Sequence, residues 1–158
     1  MNDTTNPLDT DPAFIAIVRY CHYQERCHSE VKRKLYDLGV RLPKTDEIIS
    51  ELISRDILNE ERFAIAYAGG KFRMKQWGRI KIKTALKQRQ ISDYCINKAL
   101  NDINYEEYHN VLIRLAEKHW DKLKKEKHPQ VRKEKLFRYL MQKGYETGLI
   151  SEVVNNLL

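Results

Sequence analysis

Apolar residues recur along this chain at three- and four-residue intervals, the period of an α-helix. No stretch alternates with period two for long enough to demand a strand. Local signals divide the pattern into nine helices. "DPAFIAIVRYCHY" opens with Asp11 as a cap and Pro12 in the first turn. "SEVKRKLYDLG" runs from Ser29 to a stop at Gly39, with Val31, Leu35 and Leu38 on one face. After the loop "RLPK", "TDEIISELISRDIL" places two acids in its first turn and Ile48, Ile49, Leu52 and Ile53 on its apolar side. A fourth helix starts near Asn59, with Phe63, Tyr67, Gly70 and Met74 as its stripe; Gly69 and Gly70 suggest a bend or a close helix contact. A fifth follows Trp77-Gly78 and a sixth begins at Ser92-Asp93. A long seventh, 105–127, carries Tyr105, Tyr108, Leu112, Leu115, Ala116, His119 and Leu123 and is broken by Pro129. Two shorter helices complete the chain.

These helices fall into triplets. Aligning "VKRKLYDLGV", "IKTALKQRQI" and "LFRYLMQKGY" brings Leu35, Leu86 and Leu140 into one column. Val31, Ile82 and Leu136 form a second, and Val40, Ile91 and Tyr145 a third. Ile49, Ile96 and Ile150 match in the next helix, while Gly39 and Gly144 share a helix-end position that Gln90 fills in the middle copy. The expected fold is all-α: three tandem three-helix repeats, 11–57, 58–103 and 104–158, behind a disordered leader at 1–10. Each unit buries only a small core, so neighbours should stack into an elongated, curved body.

Composition narrows the function. The chain has 158 residues, 42% hydrophobic and 32% charged, which suits a folded protein. Its net charge of +7 favours an anionic partner, either nucleic acid or an acidic protein face. No apolar run approaches the ~20 residues of a membrane helix. The polar, acidic start lacks the basic and apolar regions of a secretory signal, so a cytoplasmic location is expected. Cys21, Cys27 and Cys95 then read as reduced thiols, and a monomer is the expected state.

The charge is concentrated. Residues 71–90, "KFRMKQWGRIKIKTALKQRQ", hold eight Lys or Arg and no Asp or Glu. On a helix, Arg79, Lys83 and Lys87 form a stripe whose mutual repulsion an anionic partner would relieve. Lys71, Arg73 and Lys75 extend it from the preceding helix end, and Lys81 lies within it. The third repeat offers Arg132, Lys133, Lys135 and Arg138, and the first Lys32, Arg33 and Lys34. Stacked in register, these would form a basic track, interrupted by Glu134 and the acids of "DEIISEL". A solvated basic face is the alternative reading. Trp77 is expected to pack over the junction of helices four and five, and Phe63, Tyr67 and Phe72 to lie in the core.

Catalytic motifs are missing. The chain contains no GxxxxGK[ST], GxSxG or HExxH, and the acid pairs Glu60-Glu61 and Asp46-Glu47 sit where they serve helix dipoles. Cys21-His22 and Cys27-His28 lack the C-x₂-C spacing of a zinc site. No catalytic residue, cofactor or metal is expected.

"NEERFAIAY" followed by "WGRIKIKTALKQRQI" resembles the bacterial RecX pattern, through Glu60 or Glu61, Phe63, Ala64, Lys71, Gly78, Lys81, Ile82, Leu86 and Ile91. "RCHSEVKRKL" is similar to the family's opening, through Arg26, Ser29 and Leu35. The chain departs from the pattern at Gly69-Gly70, at Trp77-Gly78 and at Gln90. The resemblance implies a modulator, usually an inhibitor, of the RecA recombinase. Such a protein lies along the RecA filament on single-stranded DNA, and some members bind DNA directly. A stand-alone DNA-binding protein without sequence readout is the alternative function.

Overall fold

Helix starts in this chain are of two kinds. At α1 (Pro12–Tyr23) the Asp11 carboxylate accepts from the backbone N–H of Ala13 and Phe14. Asn59, Ser92 and Asn104 cap α4 (Glu60–Lys75), α6 (Asp93–Asn101) and α7 (Tyr105–Lys122) in the same manner. By contrast α2 (His28–Asp37), α5 (Arg79–Gln88) and α8 (Pro129–Lys143), the middle helices of the three triplets, have no side-chain cap. Helices α3 (Lys44–Ser54) and α9 (Thr147–Asn156) complete the order. These ranges come from a computed structural model that describes residues 5–157. Among the described residues there are nine α-helices, one short 3-10 helix and no strand.

The three middle helices end alike. Gly39, Gln90 and Gly144 all have left-handed backbone, with φ of 87°, 61° and 96°. Glycine adopts this conformation without strain and glutamine does not. The apolar columns of the repeat are all buried: Val31, Ile82, Leu136, Leu35, Leu86 and Leu140 are 0% exposed. Val40, Ile91 and Tyr145, and Ile49, Ile96 and Ile150, are buried with them.

The core is divided unevenly. α4–α9 share one apolar cluster, whereas α1–α3 enclose their own, from Leu8 to Leu58. Cys27 alone crosses from the first triplet into the larger cluster. A compact globule of this mass, 18.8 kDa, would expose ~8,300 Å². This chain exposes 10276 Å², as a body with two separate cores should; the expectation of a small core in each unit is corrected for the second and third, which share one.

Several sequence expectations are corrected. The leader is not disordered throughout: Pro7–Thr10 form a 3-10 helix, capped by Asn6 and anchored by buried Leu8 (residues 1–4 lie outside the described residues). α4 runs unbroken through Gly69-Gly70, and its buried face is Phe63, Ala64, Ala68, Gly69 and Phe72. Met74 is therefore 82% exposed, and Tyr67 only partly covered. Small residues on the buried face allow α4 to pack extensively on α6. Leu38, Ile53 and Tyr105 also face solvent, because each lies at or next to a helix end, where the stripe no longer points inward. α7 ends at Lys122, short of the break expected at Pro129. That proline instead opens α8, where its missing N–H costs no helix bond.

Candidate nucleic-acid and protein docking surface

The uncapped start of α5 is covered by the next repeat. The Gly78 N–H donates to the Lys143 carbonyl at 2.7 Å and the Ile80 N–H to the Gly144 carbonyl at 2.9 Å. The free donors at the start of α5 thus meet the free acceptors at the end of α8, so helix ends of opposite partial charge face each other. A Cβ on Gly78 would stand 2.3 Å from the Gly144 carbonyl, so only glycine fits this approach. Around it the Tyr145 hydroxyl donates to the Gln76 carbonyl at 2.9 Å, and the Lys143 ammonium to the Lys75 carbonyl at 3.1 Å.

The first joint has the same plan with different chemistry. Cys27 precedes α2 as Gly78 precedes α5, and the Ser29 hydroxyl donates to the Arg89 carbonyl at the end of α5. Ion pairs surround it, Arg62–Glu25 at 2.6 Å and Arg89–Glu30 at 3.7 Å, and His28 lies 4.0 Å from Glu60. The start of α2 thus meets the end of α5, and the start of α5 the end of α8.

The candidate residues have unequal freedom. Arg79 is drawn inward: it pairs with Glu146 at 3.1 Å and lies over the Tyr108 ring at 3.9 Å. The acid missing from residues 71–90 is supplied by the third repeat, which corrects the expectation of an unrelieved stripe. Burial and the hydrogen bond to Glu146 push the Tyr108 phenol far above its ordinary value, so it stays protonated and holds both neighbours. Arg132 stacks on Trp120 at 3.8 Å and donates to its carbonyl, and Lys135 pairs with Glu126 at 2.7 Å.

Arg73, Lys75, Lys81, Lys83, Lys87 and Arg138 are exposed, Lys71 and Lys133 partly so, and none of these eight has an ion pair among the described residues. Lys71 and Lys81 both approach the Trp77 ring, at 4.9 and 4.7 Å. Trp77 is partly buried against the core, so the expectation of core packing holds for part of the ring. Lys143 is not among the residues that the sequence singles out. Burial and then the charges of Lys81 and Lys75 hold it below the ordinary lysine value. Its place is set by where α8 ends against α4, which no local signal encodes.

The three cysteines are buried free thiols, and burial pushes Cys21 up to about 11. Among the described residues no three His, Cys, Asp or Glu side chains are grouped to hold a metal, and no helix is long and apolar enough to cross a membrane.

Residues 59–100 match the family model described as RecX, second three-helix domain, and residues 106–154 the model for the third. The regulatory protein RecX of Clostridium perfringens strain 13 is 31% identical over 133 residues, covering 84% of this chain and 62% of that protein. Its counterpart in Clostridium tetani is 28% identical over 142 residues, covering 89% and 65%. The chain thus spans less than two thirds of the length of these relatives. The crystal structure of RecX from Lactobacillus salivarius superposes with a TM-score of 0.83 at 26% identity, covering 92% of this chain and 94% of that one. A second RecX crystal structure, with a TM-score of 0.82 at 20% identity, shares the fold. Two consecutive domain matches, similar relatives and the same stacked triplets place this chain in the RecX family of regulatory proteins.

Proposed function

We propose that this protein binds the RecA filament on single-stranded DNA and restrains its recombinase activity, acting in the cytoplasm as a non-catalytic regulator. The observation that carries this reading is the end-to-end contact of α2 with α5 and of α5 with α8, helices that carry exposed cations such as Lys83, Lys87 and Arg138 with no carboxylate partner among the described residues. Charge repeated on successive helices suits an extended anionic partner better than a compact one, because it can meet phosphates or acidic side chains repeatedly. The units 11–57, 58–103 and 104–158 would each present one of these helices, and RecX family membership supports the choice of partner.

The test is strand exchange and DNA-dependent ATP hydrolysis by purified RecA, with this protein added at substoichiometric ratios. Inhibition is expected; no effect at any ratio overturns the reading. A stand-alone DNA-binding role is the second reading, favoured by the lysines around Trp77. Binding to bare DNA that equals binding to RecA-coated DNA would select it.

A further inference from the structure

Between the start of α5 and the end of α8 lies a groove of about 370 Å³, within the range of small-ligand pockets, about 300–1,000 Å³. Trp77, Ile80, Ala85 and Met141 form its apolar walls, and Gln88 and Gln142 bring amides to its edge. Ile80 and Met141 are each 50% exposed, two large apolar side chains left wet on one groove.

Lys81 lines this groove, and Lys143 falls in the chain between two of its lining residues, Gln142 and Gly144. Lys81 lies over Trp77 and reaches the Gln142 carbonyl at 3.5 Å. Lys143 crosses the other way to the Lys75 carbonyl. The lowered pKa of Lys143 arises partly from Lys81 and Lys75, so these three charges act on one another, and an anion among them would relieve the repulsion. No carboxylate pairs with any of the three among the described residues.

An apolar slot with amide edges and a cationic rim matches a flat heteroaromatic ring joined to phosphate. An acidic peptide would satisfy the rim and leave the slot empty. A duplex keeps its rings stacked inside, whereas a single strand can turn one outward. We propose that this groove accepts one unpaired base of a single-stranded nucleic acid, with the adjacent phosphates on Lys75, Lys81 and Lys143. The proposal rests on the reading of the basic helices as a filament-docking surface and narrows it to one contact.

The experiment uses the full chain carrying Trp120→Phe, which leaves Trp77 as the sole tryptophan. Trp77 fluorescence is followed during titration with oligothymidylate, oligouridylate, an abasic strand of equal length, a duplex and polyglutamate. Quenching by the base-bearing single strands and by no other probe is expected. Met141→Glu should weaken that binding about tenfold or more, the order expected when a stacked base is lost. Lys143→Gln should weaken it several-fold and lower the salt slope by about 0.7. Equal binding and quenching by the abasic strand or by polyglutamate overturns the slot. RecA inhibition is measured on the same samples. Inhibition without quenching by any single strand overturns the slot and leaves the regulatory reading standing; quenching without inhibition does the reverse.

Discussion

Gly78 and Gly70 lie eight residues apart and carry opposite consequences. At Gly78 an added Cβ meets backbone, which cannot move aside without breaking the two hydrogen bonds that join α5 to α8. Gly78→Ala is therefore expected to destabilise the fold by about 2–4 kcal/mol, from overpacking plus the lost hydrogen bonds. At Gly70, inside α4, nothing lies within 4 Å of the added atom. Gly70→Ala should stabilise by about 0.5–1 kcal/mol, because glycine loses more backbone freedom in a helix. Urea denaturation of both variants checks the pair, and the same sign for both would contradict the argument.

At the scale of the element, α5 shows why a charge stripe is not a uniform surface. Its i, i+4, i+8 cations begin with Arg79, which serves the joint, and continue with Lys83 and Lys87, which face solvent. Arg79→Met is expected to cost about 1–2 kcal/mol of stability, since it loses both the Glu146 pair and the Tyr108 face. Lys83→Glu with Lys87→Glu should change stability by less than ~0.5 kcal/mol per site while weakening RecA inhibition. Thermal melts and the inhibition assay separate the two. Full inhibition retained by the double reversal would make the stripe a solvated face.

Across the whole molecule the two joints differ in what holds them. The second has backbone hydrogen bonds from Gly78 and Ile80 beside the ion pair Arg79–Glu146; the first is held by the Ser29 hydroxyl and the pairs Arg62–Glu25 and Arg89–Glu30, with His28 beside Glu60. One Glu30 carboxylate oxygen is buried without a hydrogen-bond partner, so the first joint is incompletely satisfied as well. Screening shortens the reach of exposed charges to about 3 Å at 1 M salt. Amide hydrogen exchange should therefore quicken with salt more at residues 24–30 than at residues 76–80, where the backbone hydrogen bonds of Gly78 and Ile80 do not depend on charge. Equal acceleration at both would remove the distinction.

Much of the fold is legible in the sequence because it is periodic. The columns through Leu35, Leu86 and Leu140 and their neighbours depend on spacing along the chain, and each of those residues is buried. The stops at Gly39 and Gly144 are legible because glycine tolerates left-handed backbone, and Gln90, at the same position of the repeat, adopts that conformation too. Met74 and Leu38 defeat the reading because a helical stripe drifts, and only the packed neighbour decides where it ceases to face inward. The basic composition of residues 71–90 is also plain in the sequence. Which of those charges remain available is not, since Glu146, Tyr108 and Lys143 reach them from another repeat. The sequence by itself determined the helices, their threefold recurrence and the sign of the surface, all of which follow from local spacing and composition. Only the tertiary structure decided how the repeats join, which cations are spent in that joint and where the groove beside Trp77 opens. Each of these depends on residues from different repeats, distant along the chain, coming within a few ångströms of one another.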